Sequence, residues 1–225
     1  MNCHNKLMRF LSARFLLLVT CMVALIGGVS LYLLGESPHG TKRVTIPTGG
    51  QIILGNPEAA VNVLVFEDLY CPFCREFFLK TFPLIQKEYI DSGKISYTII
   101  SITFLDSREI TTAAHCLYSI NKNSYIPFIQ AYYEKSFRET LPIQIDNLVD
   151  SVGGVNRAAF EKCRTATMRD VHFFDNNYDL AKEKMRNHVV VTPTLFINGI
   201  QQRSLSFDSL SKAINSALKE QEAPK

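Results

Sequence analysis

The chain has 225 residues, 47% of them apolar and 20% charged, with 11 Gly and 9 Pro, which excludes a disordered tail, a collagen-like fibre and a small cysteine scaffold. The net charge of +3 sits in the first 35 residues, which carry Lys6, Arg9 and Arg14 and no acid. The remaining 21 cations and 21 acids cancel, so the basic footprint of a nucleic-acid binder is missing and no nucleic-acid partner is expected.

Phe15 to Leu34 is an uncharged run of twenty residues, long enough as a helix to cross a bilayer core of about 30 Å. Cations ahead of such a run hold an N-terminus in the cytoplasm and send the chain beyond it across the membrane. Residues 1–35 therefore read as a cytoplasmic tip and an uncleaved signal anchor in a bacterial inner membrane, with the rest of the chain in the periplasm. The alternative is cleavage near Gly28-Val29-Ser30, giving a soluble periplasmic protein with an unusually apolar start at Leu31-Tyr32-Leu33-Leu34. Leu-Val-Thr is too bulky before Cys21 for a good lipoprotein site, and Cys3 and Cys21 are assigned no chemistry. Residues 36–50, rich in Gly, Pro, Ser and Thr, suit a linker that lifts a domain off the membrane.

Val61 to Phe66 is β-branched and almost wholly apolar, as a central buried strand would be. A helix comes next over about 72–89, with Phe78, Phe82, Ile85 and Tyr89 on one face and a kink expected at Pro83. Ile95 to Ile102 reads as a second strand, and the strand–helix–strand order implies a parallel pair with a crossover. From Ser107 to Asn187 apolar residues recur only at helical spacing, which predicts an all-helical insertion of four or five helices. Strand signal returns at Val189-Val190-Val191 and Thr194 to Ile197. Asn198-Gly199 then predicts a two-residue hairpin into a partner strand over Ile200 to Ser204, before a closing helix from Phe207 to Leu218. The chain thus divides into 51–106 and 188–221 as two halves of an α/β domain, with 107–187 set between them.

The chemistry sits at Tyr70-Cys71-Pro72-Phe73-Cys74, where the first central strand meets its helix. With Cys71 at the helix N-cap, Pro72 falls at the first helical position, where its fixed φ fits and its missing N–H costs nothing. The free amides of residues 73 and 74 and the helix dipole then favour a thiolate at Cys71. Cys74, one turn on, lies within disulfide reach and turns inward. Cys71 is expected as the exposed nucleophile of low pKa and Cys74 as the resolving thiol. Half a zinc site or a buried structural pair are the plainer alternatives, but a Cys₄ site needs a second close pair that is not there, so no metal is expected. Pro193, just before an apolar strand, cannot sit comfortably in a ladder, and a cis Thr192–Pro193 bond in a tight turn against the two cysteines would explain it.

The run Phe66-Glu67-Asp68-Leu69-Tyr70-Cys71-Pro72-Phe73-Cys74-Arg75-Glu76-Phe77, the Leu54-Gly55-Asn56-Pro57 segment before it and Thr192-Pro193-Thr194-Leu195-Phe196-Ile197-Asn198-Gly199 together resemble the DsbA-like thiol:disulfide oxidoreductases of the thioredoxin superfamily. The resemblance spans about residues 50–220. It implies a thioredoxin fold carrying the helical insertion, with Cys71 as nucleophile, Cys74 as resolving cysteine, Thr192 pairing with substrate backbone and Pro193 as the cis-proline. It also implies an enzyme without cofactor that acts on unfolded or reduced exported proteins, with a membrane redox partner that resets the pair. No dimerisation segment is visible, so a monomer is expected.

Two departures stand out. Members of the family usually carry a buried carboxylate six residues before the first cysteine; here that residue is Val65. Glu67 takes over part of that work only if it turns inward, and a solvated acid at a strand end is the other reading. The strongest oxidants have His in the dipeptide where this chain has Phe73, so Cys71 should be less acidic and its disulfide less oxidising. Dithiol oxidation of moderate driving force is the favoured direction, with reduction or isomerisation as the same chemistry reversed. A non-redox holdase with a structural disulfide is the reading from another class.

Cys116 and Cys163 fall in the insertion, and in an oxidising compartment a structural disulfide is the expectation, with a second redox-active pair or two buried thiols as alternatives. Such a bond would stabilise the domain by about 4 kcal/mol through loop entropy.

Overall fold

The computed structural model describes residues 42–136, 144–170 and 172–222, besides Met22. The anchor expected over 1–35 and Cys3 and Cys21 within it lie, Met22 apart, outside the described residues; among those described, no helix is long and apolar enough to cross a membrane. The strands are β1 (Ile52–Gly55), β2 (Val61–Glu67), β3 (Ile95–Ser101), β4 (Thr194–Ile197) and β5 (Ile200–Gln201). They form one sheet in the order β1-β3-β2-β4-β5, in which only β2 and β3 run parallel.

Side chains alternate across a strand, and here that alternation builds two cores. Val61, Val63 and Val65 of β2 face one side with Tyr97, Ile99, Leu195 and Ile197, against most of the helices. Leu64 and Phe66 face the other with Ile100, Ile102 and Phe196, where Ala181 and Met185 cover them.

The predicted long helix is divided. Helix α1 (Pro72–Lys80) stops at Thr81, α2 (Phe82–Ile85) restarts, and a π-helical turn over Gln86–Ile90 completes the crossover. Pro83 has no N–H to offer the carbonyl four residues back, so the break falls just ahead of it. The insertion contains five α-helices among the described residues: α3 (Arg108–Ile120), α4 (Tyr125–Lys135), α5 (Ile145–Ser151), α6 (Arg157–Arg169) and α7 (His172–Lys184). Helix α8 (Phe207–Glu222) closes the chain. Cys116 of α3 and Cys163 of α6 are joined by a disulfide.

Two expectations are corrected and one strand is added. Val189 to Val191 is not a strand; the chain comes from a helical turn, forms the loop before Pro193 and joins the sheet only at Thr194, and Val189 and Val191 are exposed. The hairpin partner strand is only Ile200–Gln201. Strand β1, pairing antiparallel with β3 at the sheet edge, is an element the apolar patterning did not announce. The Asn198-Gly199 turn forms as expected, with φ of 46° and 78°, and the Gly199 carbonyl accepts the Val44 amide at 2.9 Å. A Cβ on Gly199 would run into the Val44 carbonyl.

Candidate active site

Register places the site. Phe66 of β2 pairs with Thr194 of β4, so the residues following β2 and those preceding β4 end at the same edge of the sheet. Cys71 and Cys74 arrive from one side and Thr192-Pro193 from the other. The Thr192–Pro193 bond is cis, and the Thr194 hydroxyl donates to the Val191 carbonyl at 2.6 Å to close the turn.

Cys71 occupies the N-cap of α1 in extended backbone, with Pro72 at the first helical position. Both cysteines are free thiols in this structure. The Cys71 thiol donates to the Thr192 carbonyl at 3.3 Å. Its pKa is lowered to about 5, first by a hydrogen bond from the Cys74 thiol, against the opposing effect of burial, then by the Thr192 side chain and the amides of Cys74 and Phe73. The cis-proline loop covers Cys71 more than expected: it is 5% exposed as a whole residue, rather than open to solvent. Cys74 is 2% exposed, and burial, the hydrogen bond to Cys71 and the charge of Glu67 all drive its pKa upward. The two sulfurs are thus polarised in opposite directions, which is what attack at one and proton transfer at the other require.

Glu67 turns inward. Strand alternation puts it on the same face as Val65, and it is 7% exposed. Burial raises its pKa from 4.5 to about 7, and the charges of Asp68 and Cys71 push the same way, while the Tyr125 hydroxyl, donating to Oε1 at 3.3 Å, partly offsets them. Tyr97, Tyr125 and Tyr133 surround this acid; burial first and the Glu67 charge next hold their pKa values well above the ordinary 10. The Tyr133 hydroxyl is buried without a hydrogen-bond partner among the described residues. An acid with a pKa close to neutrality, whose field reaches the Cys74 sulfur, can exchange a proton with that thiol.

Asp68 has a structural task. It is fully buried, and its two carboxylate oxygens accept the Tyr70 amide at 2.8 Å and the Leu105 amide at 3.0 Å, while its carbonyl accepts the Cys71 amide at 2.9 Å. It ties the loop after β3 to the turn carrying Cys71. The tyrosine cluster was hidden in the sequence, because α4 reaches Glu67 only through the tertiary fold. Among the described residues no three His, Cys, Asp or Glu side chains converge as a metal ligand set.

Comparison with known proteins agrees with this fold. The thioredoxin family model matches residues 47–216. A Rickettsia typhi protein named as a protein-disulfide oxidoreductase is 26% identical over 204 residues, which cover 84% of this chain and 72% of that protein. A Bacillus cereus protein named as disulfide bond formation protein D is 29% identical over 171 residues, covering 74% of this chain and 78% of its own length. The crystal structure of oxidised BdbD from Bacillus subtilis superposes with a TM-score of 0.65 at 23% identity, over 79% of this chain and 97% of that one.

Proposed function

The chain belongs to the thioredoxin family, and on that premise we propose that it is a thiol–disulfide oxidoreductase that passes the disulfide of Cys71 and Cys74 to reduced protein chains outside the cytoplasm. The observation that carries this reading is the opposed polarisation of the two sulfurs, with Cys71 lowered to about 5 and Cys74 raised.

That polarisation dictates the steps. A substrate thiolate attacks the Cys71 sulfur of the oxidised pair; the new S–S bond forms as the Cys71–Cys74 bond breaks. Cys74 departs as a poorly stabilised thiolate and takes a proton, which Glu67 supplies in its acid form. A second substrate thiolate then attacks the substrate sulfur of the mixed disulfide, and Cys71 leaves as a stabilised thiolate. Two electrons have moved from the substrate dithiol to the enzyme, and a membrane redox partner must remove them to restore the disulfide. The Thr192-Pro193 loop, with backbone groups beside Cys71, is where an extended substrate would pair as an added strand.

Moderate oxidising power is the favoured direction. The hydrogen bond from Cys74 and the amides at the helix start lower the Cys71 pKa, and a more stable thiolate makes the disulfide a stronger oxidant, while Phe73 lacks the donor that His supplies in the strongest oxidants. Export and membrane tethering rest on the uncharged run at 15–34 behind three cations, and on the Cys116–Cys163 disulfide, a bond that the cytosol keeps reduced.

The reduction potential of the Cys71–Cys74 pair in glutathione buffers tests the reading. A value between those of thioredoxin and the strongest oxidant, about −270 and −120 mV, is expected. The Cys74→Ser variant should accumulate mixed disulfides with disulfide-bonded peptides, because the Cys71 thiolate attacks their S–S bond, one peptide sulfur leaves as thiolate, and no Cys74 is present to release the other. A pair that resists mild reductant and traps nothing would overturn the assignment.

A further inference from the structure

Beside Cys71 lies a strip of exposed aromatic and acidic side chains that the exchange steps do not use. Tyr70, immediately before the nucleophile, is 50% exposed. The loop after β3 folds back onto it, fastened by the Leu105 amide on Asp68, and brings the carboxylates of Glu109 and Asp106 near enough that, after burial, their charge is what raises the Tyr70 pKa. The same loop exposes Phe104, whose ring lies 6.2 Å from that of Tyr178 on α7. Thr103, Phe104, Phe174, Asp175, Tyr178 and Asp179 line an open dent of about 260 Å³. Single exposed rings are ordinary, whereas the Phe104–Tyr178 pair over an open dent offers a partner's apolar side chain a place to sit.

The charges on this strip are unequal. Asp175 is neutralised by Arg108 at 2.8 Å. Asp106, Glu109 and Asp179 are exposed and form no ion pair among the described residues. Residues beyond position 35 carry no net charge, and the +3 at the tip would favour anions. Any attraction for cations at this site is therefore local.

We propose that this strip docks the part of the substrate chain that flanks its reacting cysteine, and that it selects segments bearing Lys or Arg next to an aromatic or aliphatic side chain. The apolar side chain enters the dent against Phe104 and Tyr178, and the cation faces Asp179, Asp106 and Glu109 with an aromatic face available beneath it. Exposed charges of this kind act mainly on the rate of encounter. The inference rests on the oxidoreductase reading and adds a substrate preference to it.

The test measures oxidation of four peptides by the oxidised full chain. All share one cysteine pair; their flanks carry Lys-Phe, Gln-Phe, Glu-Phe or Lys-Ser. At about 0.01 M salt the Lys-Phe peptide should react about tenfold faster than Glu-Phe. At about 1 M salt, where screening acts within about 3 Å, that ratio should fall below about two. Combined Asp106→Asn, Glu109→Gln and Asp179→Asn should remove most of the low-salt ratio, and Phe104→Ser should reduce the advantage of Lys-Phe over Lys-Ser. Equal rates for Lys-Phe and Glu-Phe at low salt, or a ratio indifferent to salt, would overturn the docking proposal alone; the salt series needs no variant and so does not depend on one folding. Failure to oxidise any of the four would bring down the oxidoreductase reading and this proposal with it.

Discussion

Glu67→Gln isolates the buried acid, and its effect on folding can be worked out in advance. The carboxyl moves from an ordinary 4.5 to about 7 on folding, chiefly because it loses water. Below about pH 4.5 it is protonated in both states and contributes nothing that depends on pH. Between about 4.5 and 7 the unfolded chain ionises while the folded one keeps its proton, so stability falls as pH rises. Above 7 the full cost is present, about 3 kcal/mol at roughly 1.4 kcal/mol per pH unit. Glutamine retains an oxygen for the Tyr125 hydroxyl and cannot ionise. Urea unfolding of both reduced proteins across pH 4 to 8 should therefore show the variant gaining about 3 kcal/mol over the native chain as pH rises. The same variant should slow release of Cys74 by about 100-fold below pH 7, where Glu67 would otherwise donate, and should flatten the pH profile of exchange. A stability difference that is constant with pH, or that shrinks as pH rises, would refute the placement of this acid.

Other parts of the structure lead to further outcomes. Thiolate absorbance of the reduced protein should titrate Cys71 with a midpoint near 5, and Phe73→His should lower it, because an added donor at the helix start favours the thiolate; a midpoint near that of free cysteine would contradict the N-cap account. Replacing Cys116 and Cys163 together by Ala should lower unfolding stability by about 2–4 kcal/mol in the oxidised protein, measured by urea titration, since the bond closes a separation of 47 residues. Gly199→Ala combines a positive φ with a clash at the Val44 carbonyl and should cost about 1–3 kcal/mol, whereas Gly49→Ala, which meets nothing within 4 Å, should be close to neutral.

The features legible in advance were those that depend on neighbours in the chain. Cys71 at a strand–helix junction followed by Pro72, Asn198-Gly199 between apolar runs, and helical spacing from Ile110 onward each encode a local conformation that the tertiary fold has no reason to override. Val189 to Val191 has the composition of a strand but lacks a partner, because the sheet positions beside β2 are taken by β3 and by β4 from Thr194 onward. Strand β1 is four residues long and is held at the edge by β3 and by the Tyr118 hydroxyl on Ile53, so its existence depends on contacts more than forty residues away. Glu67 sits on the inward phase of β2, yet the last residue of a strand can belong to the core or to water. Tyr125, Tyr97 and Tyr133 decide the matter, and no local pattern joins them to it.

Tyr125 has a consequence for anyone wishing to shrink this molecule. It belongs to the block of helices between the two halves of the sheet domain, while the acid it clasps ends a central strand. A version pared down to the sheet and its flanking helices would keep both cysteines and the cis-proline, yet would flood the glutamate with solvent. Its grip on a proton would weaken by roughly 300-fold, leaving an ordinary surface carboxylate where the full chain has a donor poised for neutral pH. The inserted helices are in that sense a wall of the reaction chamber, and trimming them alters the chemistry before it alters the shape.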